Sequence, residues 1–196
     1  MPILGGSVEA IGGILSAFGL SASTGLNAYV PLLIVALMAR FTDWVKLAPP
    51  WDNLGSWWVI GALIVLGAVE FFADKIPAVN HANDIIQTFV RPAAGAILFA
   101  ASTGAVSSIH PLVAIIAGLL VAGSVHVIKA AAVRPAVTAT TAGVANVPVS
   151  IFEDVLATVL SILAVLIPVV IAAIIIVVTA LIVWWLWRRA NAAQAA

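Results

Sequence analysis

Cysteine is absent from the 196-residue sequence, and charged residues make up only 8% of it. The absence of cysteine excludes disulfides, thiolate metal sites and cysteine nucleophiles. A soluble domain is about 25% charged. A chain of this length also has too much surface for its volume to hide 64% hydrophobic residues from water. The shortage of charge therefore predicts a protein whose solvent is lipid.

Several functional signals are missing as well. The eight basic residues only balance the eight acidic ones, so we expect no nucleic-acid partner. The sequence contains no GxSxG, P-loop or HExxH motif, and we therefore expect neither an enzyme nor a cofactor. Metal-ligand spacing is also missing from the three histidines, which are His81, His110 and His126.

Three apolar runs are each close to the length of a membrane crossing. A helix needs about 20 apolar residues to cross the hydrocarbon core of a bilayer. The runs lie at residues 57–72, 92–107 and 111–127. In the second run Ala96, Ala100 and Gly104 recur every four residues, a spacing that lets helices approach closely in lipid.

Two further apolar runs are longer than one crossing requires. Residues 8–38 are interrupted by the small and polar residues of segment 21–31, and residues 155–187 contain Pro168. We predict one long kinked helix over 155–187, with a tight hairpin as the alternative. The runs together predict an all-α, polytopic transmembrane helix bundle of about five or six spans.

The polar stretch after the first clear run has a helical pattern. Its polar residues recur on one face, opposite a face that is mainly apolar. The polar face consists of Asn83, Asp84, Gln87, Thr88 and Arg91. This pattern predicts a short interfacial amphipathic helix that ends at Pro92, where the next span begins.

Segment 21–31 has a counterpart later in the chain. It reads SASTGLNAYVP, and segment 138–148 reads TATTAGVANVP. Paired interruptions of apolar runs in two halves of a membrane protein point to a midplane site built from broken or re-entrant helices. We predict a pathway for a substrate or ion lined by Ser23, Thr24, Asn27, Thr140, Thr141 and Asn146. The alternative is that these small residues serve helix packing alone.

Charged residues near the ends of the apolar runs are the other candidates for function. Glu70 and Asp74 are four residues apart and therefore share a helix face. Ionisable groups in a span are costly and usually face the protein interior or water. We predict that five such residues act as gate or coupling charges: Glu70, Asp74, Lys75, Asp84 and Arg91. The alternative is a purely structural ion-pair cluster that holds the bend between this span and the amphipathic helix that follows.

Glu153 and Asp154 follow the second polar segment. Acidic residues stabilise a helix N-terminus through the helix macrodipole. We therefore expect the pair to cap the last helix, and pairing with Lys129 or Arg134 is the alternative.

The region around Glu70 is similar to a known family. Segment 69–77 reads VEFFADKIP, which contains the pattern E-x-x-x-D-K-I-P. It is followed by Asp84, Thr88, Arg91, Pro92 and Gly95. With segment 21–31, these residues resemble the small bacterial multipass membrane proteins grouped as domain of unknown function 4126. The resemblance implies a location in the bacterial cytoplasmic membrane and carries no activity.

Two functional hypotheses follow. The first is a transporter or channel for a small solute or ion, with a midplane site at the two broken segments. The second is a non-transporting scaffold or accessory subunit of a larger membrane complex. Both place residues 1–187 in a single membrane domain and leave a short polar tail at 188–196. Lipid is the expected partner, together with a second copy of the chain or other membrane proteins.

Overall fold

The computed structural model of the chain describes residues 3–104 and 109–167, together with Trp184 and Arg188. These residues form helices and no strand, which confirms the all-α class. The helices are α1 (Ile3–Leu26), α2 (Tyr29–Phe41), α3 (Trp57–Ala73), α4 (Pro77–Gly104), α5 (Pro111–Ile128), α6 (Arg134–Thr141) and α7 (Asn146–Ile167). A 3₁₀ turn (Trp51–Gly55) precedes α3, and a π-helical turn (Lys129–Val133) joins α5 to α6.

Three helical stretches of the described residues are long and apolar enough to cross a membrane. By length and composition they are Ala82–Thr103, Pro111–Thr141 and Asn146–Ile167. Shorter apolar helices cover Ala10–Leu26, Tyr29–Phe41 and Trp57–Ala73. Large apolar side chains also lie on the outside of the bundle, with Trp58 89% and Phe89 76% exposed. Such a surface suits lipid and not water, so the chain is a membrane protein.

The first half of α4 is amphipathic, but its polar face points inward. Gln87 and Arg91 are 2% and 0% exposed, whereas Ile85 and Ile86 on the opposite face are 57% and 58% exposed. In a water-soluble protein the apolar face would pack inward. The structure therefore corrects the prediction of an interfacial helix, because the polar side chains here pack against other helices and the apolar ones face outward.

The predicted end of this helix at Pro92 is also wrong. The helix α4 continues through Pro92 as one element of 28 residues. Proline removes one backbone hydrogen bond, a loss that is tolerated in membrane helices where neighbouring groups compensate. The Pro92 ring packs beside Gly123 of α5, where a Cβ atom would lie 3.7 Å from the proline Cγ. This is an ordinary van der Waals distance, so α5 packs closely beside the proline ring.

Close packing of α4 on α5 depends on small residues. A Cβ atom added at Gly118 would lie 2.6 Å from Cα of Ala96 and still closer to the carbonyl of Gly95. Such distances are shorter than van der Waals contact, so the two backbones pack directly on each other. Ala96 and Ala100, part of the predicted small-residue repeat, are 7% and 4% exposed.

The helix α7 begins at Asn146, after a turn in which Ala142 and Gly143 have φ of 50° and 85°. Left-handed residues of this kind commonly end a helix. The helix is described as far as Ile167. The prediction of one kinked helix through Pro168 falls mainly on residues outside the described ranges.

Candidate functional site

The junction between α1 and α2 is where the site begins. The Asn27 side-chain oxygen accepts hydrogen bonds from the backbone N–H groups of Tyr29 and Val30, at 3.1 and 3.0 Å. The Glu70 carboxylate of α3 accepts the N–H of Ala28, with Oε2 at 3.2 Å. The first N–H groups of a helix have no partner within the helix, so these side chains satisfy the start of α2 inside the bundle.

Arg91 extends from α4 into this junction and is 0% exposed. Its Nη2 lies 2.8 Å from Glu70 Oε1 and 3.6 Å from Asp74 Oδ2. Its Nη1 donates to the carbonyl of Gly25 at 3.4 Å and lies 3.3 Å from His126 Nδ1. An arginine keeps its charge in proteins, so a buried one needs this many partners.

Asp74, the residue that follows α3, is the point at which the cations converge. Arg134 Nη2 lies 3.0 Å away, and Lys129 Nζ and Arg91 Nη2 each lie 3.6 Å away. Asn83 donates a hydrogen bond to the same carboxylate at 2.7 Å. Burial acts to raise the pKa of Asp74, but the three cations and the amide outweigh it and hold the pKa below its usual range. Asp74 is therefore ionised at neutral pH.

Lys129 and Arg134 also form ion pairs with other helices: Lys129 with α7, and Arg134 with α4. Lys129 Nζ lies 2.8 Å from Glu153 Oε2 and donates to the carbonyl of Leu26 at 2.9 Å. Arg134 donates from Nη1 to both oxygens of Asp84, at 2.7 Å each. The carbonyl of Leu26 lies at the end of α1, where it has no partner in the next turn, and Lys129 supplies one.

The π-helical turn puts Lys129 and Arg134 on one face. The N–H of Arg134 donates to the carbonyl of Lys129, a bond that spans five residues. In an α-helix, residues five apart point in clearly different directions, because 3.6 residues make a turn. The wider turn stacks them instead, and both cations therefore reach Asp74.

A second contact ties α7 to the junction. Lys75 Nζ lies 2.8 Å from Asp154 Oδ2, and Asn27 Nδ2 donates to Asp154 Oδ1 at 2.9 Å. The prediction that Glu153 and Asp154 cap the last helix is wrong, because α7 already begins at Asn146, about two turns earlier. The alternative of ion pairing holds for Glu153, which lies beside Lys129.

His126 has its tautomer fixed by its neighbours. Arg91 can only donate, so Nδ1 of His126 must accept, and in the neutral ring Nε2 then carries the proton. Nε2 lies 3.1 Å from Thr88 Oγ1, and Thr88 in turn donates to the carbonyl of Asp84 at 2.8 Å. His126 therefore acts here as a neutral hydrogen-bonding group, 2% exposed.

These contacts define one charged network. Its members are Glu70, Asp74, Asp84, Glu153, Asp154, Lys75, Arg91, Lys129 and Arg134. Five carboxylates face four cations, which leaves one negative charge in excess if every group is ionised. Among the side chains that the structure describes, no group of three or more His, Asp or Glu is arranged to hold a metal ion.

All five predicted gate or coupling charges belong to this network. Sequence reasoning did not assign Lys129, Arg134, Glu153 and Asp154 to the same site. The signal for them was present, because each is an ionisable residue within or beside an apolar run. In lipid such residues require partners, and other residues of the same kind are the natural ones.

Of the predicted pathway residues in the first segment, all three are buried. Ser23, Thr24 and Asn27 are at most 1% exposed. Ser23 and Thr24 donate to carbonyls of their own helix, those of Gly19 and Ser21. Only Asn27 of the three contacts the charged network through a hydrogen bond described here.

The predicted residues in the second segment bond within their own part of the chain. Thr140 is exposed and donates to the carbonyl of Ala136 at 2.8 Å. Thr141 and Asn146 are partly exposed, and Thr141 Oγ1 accepts the N–H of Ala145. These contacts place the second segment at the turn between α6 and α7.

The family resemblance seen in the sequence is confirmed. The family described as Domain of unknown function (DUF4126) matches residues 14–189, which includes every member of the charged network. No curated protein and no solved structure matches the chain. Because the match covers nearly the whole sequence, this membrane protein belongs to the DUF4126 family.

Proposed function

We propose that this chain is a transporter for a small solute or ion in the bacterial cytoplasmic membrane, and that the charged network is its coupling site. One observation carries the proposal. A network of nine ionisable side chains lies at the junction of two helices, and its Glu70 and Arg91 are 1% and 0% exposed.

The cost of such a network argues for a function. Burying an ion costs several kcal/mol, and well-packed apolar residues often stabilise a fold as well as a buried ion pair does. A bundle in lipid can hold its helices together with small residues, as α4 and α5 do at Gly95 and Gly118. Charges retained inside a membrane protein commonly mark a path for ions or protons.

The junction also offers backbone groups to the network. The carbonyls of Gly25 and Leu26 accept from Arg91 and Lys129, and the N–H of Ala28 donates to Glu70. Helix ends inside the bilayer supply ion and substrate contacts in transporters built on broken helices. Asn27, with Ser23 and Thr24 behind it, forms one wall of the proposed path. Thr140, Thr141 and Asn146 are proposed for its other end.

The network is suited to two arrangements. Arg91 lies between Glu70 and Asp74, at 2.8 and 3.6 Å, and Asp74 is shared by two further cations. A change of charge on either carboxylate would shift Arg91 toward the other. Glu70 lies on α3, Asp74 follows it directly, and Arg91 lies on α4. That shift would therefore change how the two helices pack, which is the kind of bistable element that coupling requires.

Replacing the carboxyl group of Glu70 tests the coupling site. We expect Glu70→Gln to reduce proton or sodium flux roughly tenfold or more, the range lost when one interaction of about 1.4 kcal/mol is removed from the rate-limiting step. The measurement uses purified protein in liposomes, with an entrapped dye for each ion and an imposed gradient. Asp52→Asn is the control, because Asp52 is an exposed carboxylate outside the network. Equal flux in Glu70→Gln and the wild type would contradict the proposal.

Asn27→Ala tests the junction. The variant loses both the cap of α2 and the hydrogen bond to Asp154, so we expect flux to fall at least tenfold while the protein still inserts and folds. Loss of a helix cap costs about 1 kcal/mol, which thermal unfolding in detergent would detect. Asn53→Ala is the matched control at an exposed asparagine. Unchanged flux in Asn27→Ala would remove the junction from the path.

A further inference from the structure

The charge excess of the network calls for one more positive charge. Five carboxylates against four cations leave a net charge of −1, and His126 is neutral in this geometry. An uncompensated charge in a low-dielectric interior costs several kcal/mol. Among the described side chains, the excess charge at the buried end of the network can be offset by a small cation or by a proton on one carboxyl group.

Asp74 and Asp84 each have positively charged side chains close to their carboxylates. Asp74 has three cations within 3.6 Å, and Asp84 receives two bonds from Arg134 at 2.7 Å. The side chain of Asp84 is also 20% exposed. Both carboxylates therefore have close cationic partners.

The two acidic residues of α7 are compensated as well. Glu153 lies 2.8 Å from Lys129, and Asp154 lies 2.8 Å from Lys75 with an Asn27 amide as a second donor. The side chain of Asp154 is 13% exposed. These two carboxylates therefore each have a close ammonium partner.

Glu70 differs from the others in burial and in partners. Its side chain is 1% exposed, and the cation in ion-pair contact with it is Arg91, which it shares with Asp74. Arg91 Nη2 and Nε both donate to Oε1, at 2.8 and 3.3 Å. By contrast, Arg134 reaches both oxygens of Asp84. Glu70 Oε2 is left with the N–H of Ala28 at 3.2 Å, so it has room for a proton.

The neighbouring Gln87 lacks a donor. Its Oε1 is buried without a hydrogen-bond partner, and the residue is 2% exposed. Gln87 lies on α4 one turn before Arg91 and one turn after Asn83, on the face that meets Glu70 and Asp74. A buried acceptor without a donor costs about 1–3 kcal/mol. The Gln87 side chain also hydrogen-bonds to the Tyr29 hydroxyl, toward which its amide N–H donates, so Oε1 still needs a donor. A carboxylic acid O–H in the network is a donor of the right kind.

We propose that Glu70 holds one proton on Oε2 at neutral pH, that this O–H donates to Gln87 Oε1, and that the coupling ion is therefore the proton. This step rests on the proposed transport function. The charged and titratable groups that act on Glu70 are Tyr29 of α2, Arg91 of α4, Lys129 of the π-helical turn and Asp74 at the end of α3. When the proton leaves, Glu70 becomes a full partner of Arg91, and Gln87 again lacks its donor. Release of the proton thus removes the hydrogen bond to Gln87 and strengthens the ion pair between Glu70 and Arg91.

Infrared spectroscopy of the protein in bilayers tests this directly, without measuring transport. At pH 7 we expect the carbonyl stretching band of a single protonated carboxylic acid in the wild type. The band should be lost in Glu70→Gln and retained in Asp52→Asn. Gln87→Leu removes the unpaired Oε1 together with the amide that bonds to Tyr29, and it should keep the band at a shifted frequency because the hydrogen bond to Oε1 is gone.

Each contrary outcome has a distinct meaning. A wild type without the acid band, or a band that persists in Glu70→Gln, overturns the assignment of the proton. An unshifted band in Gln87→Leu overturns the hydrogen bond. Bound sodium would instead leave no acid band and shift the carboxylate bands when sodium replaces choline, which also overturns the proposal. An acid band in a protein that carries no flux would leave the proton in place and remove the transport function.

Discussion

Arg91→Met is expected to destabilise the protein by about 3–5 kcal/mol, the usual cost of removing one partner from a buried ion pair. Arg91 is 0% exposed and is the cation in ion-pair contact with Glu70, so its removal leaves buried acidic groups without their partner. Methionine fills much of the same space. The expected loss of stability therefore comes from the missing charge and hydrogen bonds more than from a change of side-chain volume. The measurement is the free energy of unfolding in mixed micelles as denaturing detergent is added.

Two variants separate charge from other effects. Arg91→Lys keeps the positive charge but not the planar donor set, so we expect a smaller loss than in Arg91→Met. Arg40→Met removes an exposed arginine that stacks on Trp57 at 4.2 Å, and we expect a change within about 1 kcal/mol. If Arg91→Lys proved as unstable as Arg91→Met, the charge of Arg91 would not be what stabilises the network.

Gly118→Ala is expected to cost about 2 kcal/mol, within the range for overpacking a well-packed interior. The new Cβ would lie 2.6 Å from Cα of Ala96 and closer still to the carbonyl of Gly95. Both contacts are with backbone, which cannot rotate away as a side chain can, so α4 and α5 would have to separate. The same unfolding titration measures the effect.

The control for this substitution is Gly61→Ala. Gly61 lies in α3, and a Cβ atom there would have nothing within 4 Å. Alanine favours a helix over glycine by up to about 1 kcal/mol, so this variant should be as stable as the wild type or more stable. Equal stability of the two alanine variants would mean that contact between α4 and α5 does not limit the fold.

The sequence predicted the helical class and the membrane, because long apolar runs have few other solutions. It also singled out Glu70, Asp74 and Arg91, which the structure brings into contact. It failed at Pro92, since the cost of a proline inside a helix depends on the helices packed around it, such as α5, and the local sequence does not show them. The inward direction of the polar face of α4 was missed for a related reason: periodicity shows that two faces differ, but not which one meets protein.

The membership of the network was predictable only in part. A charge inside an apolar run needs a partner, but its sequence position does not identify that partner. Lys129 and Arg134 illustrate the difficulty, because regular helical spacing would point them apart. Their convergence on Asp74 depends on a π-helical turn, which short-range patterns do not reveal.

The π-helical turn determines how a change in chain length between Lys129 and Arg134 would affect the network. A π-helical turn is equivalent to one residue inserted into an α-helix, and such turns are frequent at functional sites. Removal of one alanine from residues 130–132 would leave the lysine and arginine four apart, which is the spacing of stacked residues in an ordinary helix. Chains of either length can therefore present the same two cations. Relatives that differ by a single-residue gap here should keep the lysine and the arginine on either side of it.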